Sequence, residues 1–133
     1  MEKYIVTVFG GSGFIGRHLV RKLIKKGAMV RVAVRDPEGA KYLMTMGSVG
    51  QVVPVAVNIY EKETLIPAID GASVVINLVG VLSEWGQQSF KNIHTQGAAN
   101  VAKVAAAAGV DKLVHISSIG ANASSPSRYA QTK

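Results

Sequence analysis

Val8-Phe9-Gly10-Gly11-Ser12-Gly13-Phe14-Ile15-Gly16-Arg17 decides how this chain is read. The apolar run Tyr4–Phe9 ahead of the glycines has the continuous apolarity of a buried strand, and Phe14–Lys26 after them has the pattern of a helix. Glycine in a strand-to-helix turn lets the backbone turn tightly and come close to a ligand. The helix that follows points free N–H groups and the positive end of its dipole at the same place, which suits a pyrophosphate. Gly10, Gly13, Phe14, Ile15 and Gly16 are therefore candidate cofactor-binding residues. Neither a glycine pattern alone nor a helix start alone would carry that reading; the strand–turn–helix context does.

Outward from this turn, strands and helices alternate. Met29–Val34, Gln51–Val57, Ser73–Val79 and Lys112–Ser117 read as strands two to five. Between them, Pro37–Met46 reads as a short helix with Pro37 in its first turn, and Glu61–Ile69 as another that ends at the Asp70-Gly71 turn. Ser89–Ala108 contains a long helix closed by Gly109, and Ser127–Lys133 is the start of one more. Alternating elements with all-apolar strands predict an α/β fold: a parallel sheet with helices on both faces. Right-handed crossovers then give a Rossmann-like, doubly wound order 3-2-1-4-5, with the ligand crevice where the order reverses. A chain stopping inside a helix lacks the sixth strand of such a sheet and a substrate-binding part. Residues 1–133 are accordingly expected to be the N-terminal dinucleotide-binding part of a larger protein, inactive as a catalyst by itself.

With 133 residues, 48% hydrophobic and 17% charged, the chain is long enough for one globular core and too apolar for disorder. It has no cysteine, which excludes disulfides and thiolate zinc sites, and its three histidines have no acidic neighbours at ligand spacing, so no metal site is expected. His18, His94 and His115 read as packing or surface residues, and Trp85, in the loop Leu82–Gln88, as core packing or a substrate contact. No signal peptide and no apolar run near the ~18 residues of a membrane span are visible, so a cytoplasmic protein is expected. The net charge of +7 is uneven: Arg17, Arg21 and Lys25 recur along one helix face beside Lys22 and Lys26. That face is either solvated or docks onto acidic protein or the inner face of a membrane. Nucleic acid is not expected, because no aromatic residues interleave with these charges for stacking on bases.

Val34-Arg35-Asp36 lies 18 to 20 residues past Gly16, at the end of strand two. A carboxylate there bonds the ribose 2′-OH of NAD, whereas an arginine accommodates the 2′-phosphate of NADP. Arg35 comes first and puts NADP ahead, while Asp36 keeps NAD open. Asn58-Ile59, after strand three, flanks the place of an adenine ring, where Asn58 is suited to bond the exocyclic amine. Asn77-Leu78-Val79-Gly80 ends strand four beside the glycine turn. There Leu78, Val79 and Gly80 bring backbone close to the middle of a cofactor, and Asn77 either joins them or braces neighbouring strands. Tyr129-Ala130-Gln131-Thr132-Lys133 is Y-x-x-x-K, whose two ends share a helix face. An ammonium beside a phenol favours phenolate, so Tyr129 with Lys133 could pass a proton to a substrate oxygen, and Ser117 or Ser118 could supply a hydroxyl.

Gly10, Gly13 and Gly16 are spaced G-x-x-G-x-x-G. With Ser117-Ser118 and Y-x-x-x-K further on, the chain resembles the short-chain dehydrogenase/reductase superfamily in its atypical or extended, epimerase/dehydratase-like branch. Within it the motifs above, with Val34-Arg35-Asp36-Pro37, His115-Ile116-Ser117-Ser118-Ile119-Gly120-Ala121 and Ser125-Pro126-Ser127-Arg128-Tyr129, are most similar to the NAD(P)H-binding accessory subunits of respiratory complex I and their bacterial relatives. The resemblance covers essentially the whole chain. It implies a bound dinucleotide that is structural rather than turned over, and a respiratory-chain complex as partner. The alternative it leaves is a catalytic NADP-dependent oxidoreductase or nucleotide-sugar epimerase/dehydratase using Tyr129 and Lys133. Extended enzymes often carry a third Ser or Thr after the Ser-Ser pair, and Ile119 stands in that place here.

Overall fold

Five parallel strands carry the molecule: β1 (Ile5–Phe9), β2 (Met29–Val34), β3 (Val52–Ala56), β4 (Val74–Asn77) and β5 (Lys112–His115), arranged 3-2-1-4-5. The computed structural model describes residues 4–80, 89–118 and 121–133. Trp85, most of the loop around it, Ile119 and Gly120 lie outside the described residues. The register is continuous, with Ile5 opposite Met29, Val6 opposite Val74, Val30 opposite Val52 and Val74 opposite Lys112. The order is the one expected from the alternation of elements, and the sheet is Rossmann-like.

Two cores follow from a sheet buried on both faces. On one side Val6, Val8, Val30, Val32 and Ile76 pack with Val20 of α1 (Phe14–Lys25) and Leu43 of a 3-10 helix (Glu38–Met46). On the other, Phe9, Ala33 and Val75 pack with Leu65 and Ile69 of α2 (Lys62–Ile69) and with Val101, Val104 and Ala105 of α3 (Ala98–Ala108). Alternate residues of each strand thus serve opposite faces, which is why the strands are apolar without a break. Thr7 and, at the end of β4, Asn77 are buried exceptions; the Thr7 hydroxyl donates to the Ala68 carbonyl at 2.6 Å. Arg31 reaches the same end of α2, donating to the carbonyls of Ala68 and Asp70, so two side chains satisfy acceptors that the helix leaves open.

Three segments differ from the sequence reading. Glu38–Met46 is a 3-10 helix that starts behind Pro37, and Asp36 accepts the Glu38 N–H at 3.1 Å in its opening turn. The long helix is two pieces: a π-helical segment (Lys91–Gly97) runs directly into α3. β5 pairs with β4 as expected, but all four of its residues are exposed; α3 is the helix that approaches it most among the described residues. Pro54, opposite Val32, lies in β3 at the sheet edge, where a missing N–H costs no ladder bond. A five-residue helix, α4 (Arg128–Thr132), closes the described chain, capped by Ser127 through the Ala130 N–H. Among the described residues no helix is long and apolar enough to cross a membrane.

Candidate functional site

The glycine turn is built around two backbone needs. Gly10 has φ +80°, a left-handed conformation that side chains rarely adopt. It is wedged between strands: its N–H donates to the Ala33 carbonyl of β2 at 3.2 Å, and an added Cβ would press on Leu78 and Val79 beyond β4 at 3.3 Å. Gly16 is buried against the turn itself, where a Cβ would run into the Gly10 carbonyl and the Gly11 backbone. Gly13 differs from both. A Cβ there would meet only the Gly10 carbonyl, at 3.5 Å, an ordinary contact. The chain's own packing does not demand glycine at 13; the space in front of it opens into a crevice.

Gly13 is also the residue before α1, and the start of α1 has no side-chain cap and no acidic residue in its first turn. The N–H groups of that turn have no acceptor within the helix, so the positive end of the helix faces an uncompensated space. Phe14 and Ile15 are strongly exposed, and their side chains turn away from the core. What they offer a ligand is backbone N–H. The Arg17 guanidinium stands over the Phe14 ring, 5.4 Å from its centre. Tyr42 of the 3-10 helix donates its hydroxyl to the Ser12 carbonyl at 2.9 Å and ties the turn down from the other side.

A crevice of about 660 Å³ runs along the carboxyl ends of the strands. Gly10, Ser12 and Gly13 line its middle, Arg35, Asp36, Asn58 and Ile59 one end, and Leu78, Val79 and Gly80 the other. The structure therefore brings together every proposed cofactor residue of β1 to β4 on one surface, with Phe14, Ile15 and Gly16 at the turn beside it. Arg35 is exposed and makes no ion pair or side-chain hydrogen bond among the described residues. Asp36 commits one carboxylate oxygen to the 3-10 helix. Asn58 has both backbone groups satisfied by the Thr64 hydroxyl, at 2.9 and 3.0 Å, while its side-chain oxygen is buried with no hydrogen-bond partner among the described residues. An orphaned buried acceptor costs free energy unless something donates to it. Ile59 is fixed from behind: Asn100 of α3 donates to its carbonyl at 3.0 Å, and Gly97 leaves just enough room for its side chain. Asn77, by contrast, is a brace. It contacts His115 Nδ1 at 3.3 Å and accepts the Val79 N–H at 3.1 Å, tying β5 to the end of β4.

The far end gathers the Y-x-x-x-K segment. The Lys133 ammonium donates to the Val79 carbonyl at 3.2 Å, beside Gly80, where a Cβ would stand 2.5 Å from it. Burial lowers the Lys133 pKa from 10.5. Ser117 donates to the Lys133 carbonyl at 3.3 Å, and the Ser118 hydroxyl is buried without a partner among the described residues. Tyr129 packs edge-on against Phe90 and His94, at 5.8 and 5.0 Å between ring centres. The sequence reading missed Tyr42, Gly97, Asn100 and His94. A glycine and an asparagine inside an Ala-rich helix were signals available for two of them.

The chemistry of this surface suits an elongated anionic ligand: a helix N-terminus without a cap at the centre, a guanidinium at one end, an ammonium at the other, and buried oxygens awaiting donors. A dinucleotide has that shape and those groups, with a pyrophosphate in the middle and an adenine amine to donate.

Residues 7–130 match the family model described as the 3-beta hydroxysteroid dehydrogenase/isomerase family. The mitochondrial NADH dehydrogenase (ubiquinone) 1 alpha subcomplex subunit 9 of Arabidopsis thaliana is 37% identical over 131 residues, covering 97% of this chain and 33% of that protein. Its counterpart in Dictyostelium discoideum is 35% identical over 130 residues, covering 97% and 36%. The chain thus spans about a third of the length of these curated relatives. A short-chain dehydrogenase/reductase superfamily protein from Agrobacterium tumefaciens, solved with bound NAD, superposes with a TM-score of 0.77 at 24% identity, over 98% of this chain and 42% of that one.

Proposed function

The chain belongs to the 3-beta hydroxysteroid dehydrogenase/isomerase family, and from that premise we propose that it is a dinucleotide-binding domain whose nucleotide is structural, NADP being preferred to NAD. The observation that carries this reading is the start of α1: uncapped, without an acidic residue, and opened to the crevice by a glycine that the chain's own packing does not require. Gly13, Phe14 and Ile15 hold the pyrophosphate through backbone N–H groups. Arg35 takes the 2′-phosphate, and Asp36, occupied with its 3-10 helix, is the weaker partner for a 2′-OH. Asn58 accepts from the adenine amine and Ile59 packs on the ring, while Leu78, Val79 and Gly80 face the middle of the cofactor. Ordering the crevice around a ligand held at both ends stabilises the folded chain by mass action. The respiratory-complex names of the relatives support a place in such an assembly, peripheral to a membrane. The exposed basic face of α1, Arg17, Arg21, Lys22, Lys25 and Lys26, then meets acidic protein or anionic lipid.

One observation favours a second reading. The Ser118 hydroxyl, buried without a partner among the described residues, lies just beyond β5 at the Lys133 end and would suit a substrate oxygen in a catalytic NADP-dependent reductase or epimerase, with Tyr129 and Lys133 moving the proton. The test is a fluorescence titration with NADPH and NADH, followed by incubation of the NADPH complex with a panel of carbonyl compounds. Tight binding with a raised thermal midpoint and no oxidation of NADPH is the expected result. Steady turnover would transfer the site to the second reading, and failure to bind either cofactor would remove both.

A further inference from the structure

His94 is only 3% exposed, and nothing in its sequence context marks it out. It sits in the π-helical segment Lys91–Gly97, whose wide turn sets its side chains apart from the 3.6-residue stripe of α3. Its ring stacks on Phe90, with centres 5.3 Å apart and planes 11° from parallel, and receives Tyr129 edge-on. Its Nδ1 lies 3.0 Å from the Thr132 hydroxyl. That hydroxyl also lies 2.8 Å from the Arg128 carbonyl; donating there, it leaves its oxygen to accept from an Nδ1–H. His94 Nε2 stands 3.4 Å from the position of a Cβ on Gly80, the same point that Lys133 Nζ crowds.

We propose that His94 is a positioning residue: it holds α4 on the π-helical segment and thereby sets where Tyr129 and Lys133 stand at the Gly80 end of the crevice. Five residues do not sustain a helix in water by themselves, because nucleation is unfavourable and few bonds follow it. The place of α4 is therefore decided by what it touches. Its capping bond from Ser127 and the Asn122–Ala130 backbone bond are local to residues 121–133. The Ser117 contact to Lys133 is exposed and long. Phe90 adds an edge contact to Tyr129 alone, whereas the His94 ring makes two contacts, to Tyr129 and Thr132, on one face of α4 and from a buried position, where a hydrogen bond meets little competition from water. Lys133 follows directly, and its ammonium reaches the Val79 carbonyl only while α4 is docked. In its consequence for ligand this inference rests on the dinucleotide reading of the crevice; in its consequence for α4 it does not.

The experiment has two arms on the 133-residue chain, with His94→Ala, His94→Asn and Thr132→Val. In the first, amide hydrogen exchange is followed without ligand. Exchange across residues 121–133 should rise in His94→Ala and, less, in Thr132→Val, while β1, β2 and β4 keep their protection. His94→Asn, which can place an amide N–H close to Nδ1, should restore part of it. In the second arm, affinities are measured for NADPH and for 2′,5′-ADP, which lacks the nicotinamide half. His94→Ala should weaken NADPH about fivefold to tenfold and leave 2′,5′-ADP unchanged. Unchanged exchange over 121–133 in both His94→Ala and Thr132→Val overturns the proposal, as does an equal loss for both ligands. If His94→Ala does not fold, Thr132→Val carries the same comparison. If wild type binds neither ligand, the dinucleotide reading fails, and the exchange arm still decides the role of His94.

Discussion

From the middle of the crevice to its Arg35 end, the lining groups are held by backbone and by buried contacts: Gly10 is bonded across to Ala33, Asn58 is pinned by Thr64, and Ile59 is fixed by Asn100 and Gly97. At the Lys133 end Ser117 and Ser118 follow β5, whose residues are exposed, and Tyr129 and Lys133 stand on or just after α4, one short helix held by side chains. The first end is shaped before any ligand arrives and spends little ordering energy on binding. The second must be kept in place by contacts worth about 0.5–1.5 kcal/mol each, of the kind single substitutions remove. Affinity therefore belongs to the first end and adjustment to the second, which is also the end where any chemistry would take place.

That contrast breaks or sharpens under substitution. The largest effect is expected from Gly13→Val, which places a branched side chain in the mouth of the α1 N-terminus. Binding of NADPH and NADH should fall below detection in a fluorescence titration, with the circular dichroism spectrum unchanged; wild-type affinity would dissolve the contrast altogether. Arg35→Ala should weaken NADPH about tenfold or more and spare NADH, since a charge-assisted contact is worth roughly 1.5–3 kcal/mol. A parallel loss for both cofactors would mean that Arg35 stacks on adenine instead. Asn58→Ala should cost both cofactors about threefold to tenfold. Yet the unliganded variant should melt no lower than wild type in calorimetry, because the oxygen removed has no partner in the free protein.

The smallest effect lies at the other end. Burial lowers the Lys133 pKa from 10.5, so the folded chain holds that proton less firmly than the unfolded chain does. The penalty is therefore full near neutral pH and is relieved as pH climbs toward 10.5. Lys133→Met should melt at or slightly above wild type near pH 7, with wild type closing the gap as the solution becomes alkaline. A difference that widened with pH would contradict the burial argument.

The parts that could be read in advance were those written locally. Continuous apolar runs bounded by glycines placed all five strands, and their alternation with helices gave the sheet order. Gly10 and Gly16 were legible because a strand-to-helix turn has few ways to close. What could not be read depends on partners distant in sequence. Tyr42 meets Ser12 across 30 residues and His94 meets Thr132 across 38, and neither pairing leaves a periodic trace. The π-helical turn is hidden for a related reason: Lys91–Gly97 has an ordinary helical composition, and only the packing of Gly97 against Ile59 and of His94 against α4 distinguishes it. Asn77 could be read either way until its two hydrogen bonds were seen.

Pro54 gives the sheet a handedness toward its own kind. Even-numbered residues of β3 point their backbone groups away from β2, since Gln51 and Val57 bond toward it. The missing N–H of Pro54 therefore interrupts the outer row of donors at one edge of the sheet, while β5 carries no proline at the other. Among the described residues, a strand arriving from another molecule finds one border interrupted by a proline and one without such an interruption. Aggregation at high concentration should for that reason be polar, nucleated through Lys112–His115, and a proline introduced there at a position whose N–H points away from β4 should keep concentrated solutions clear.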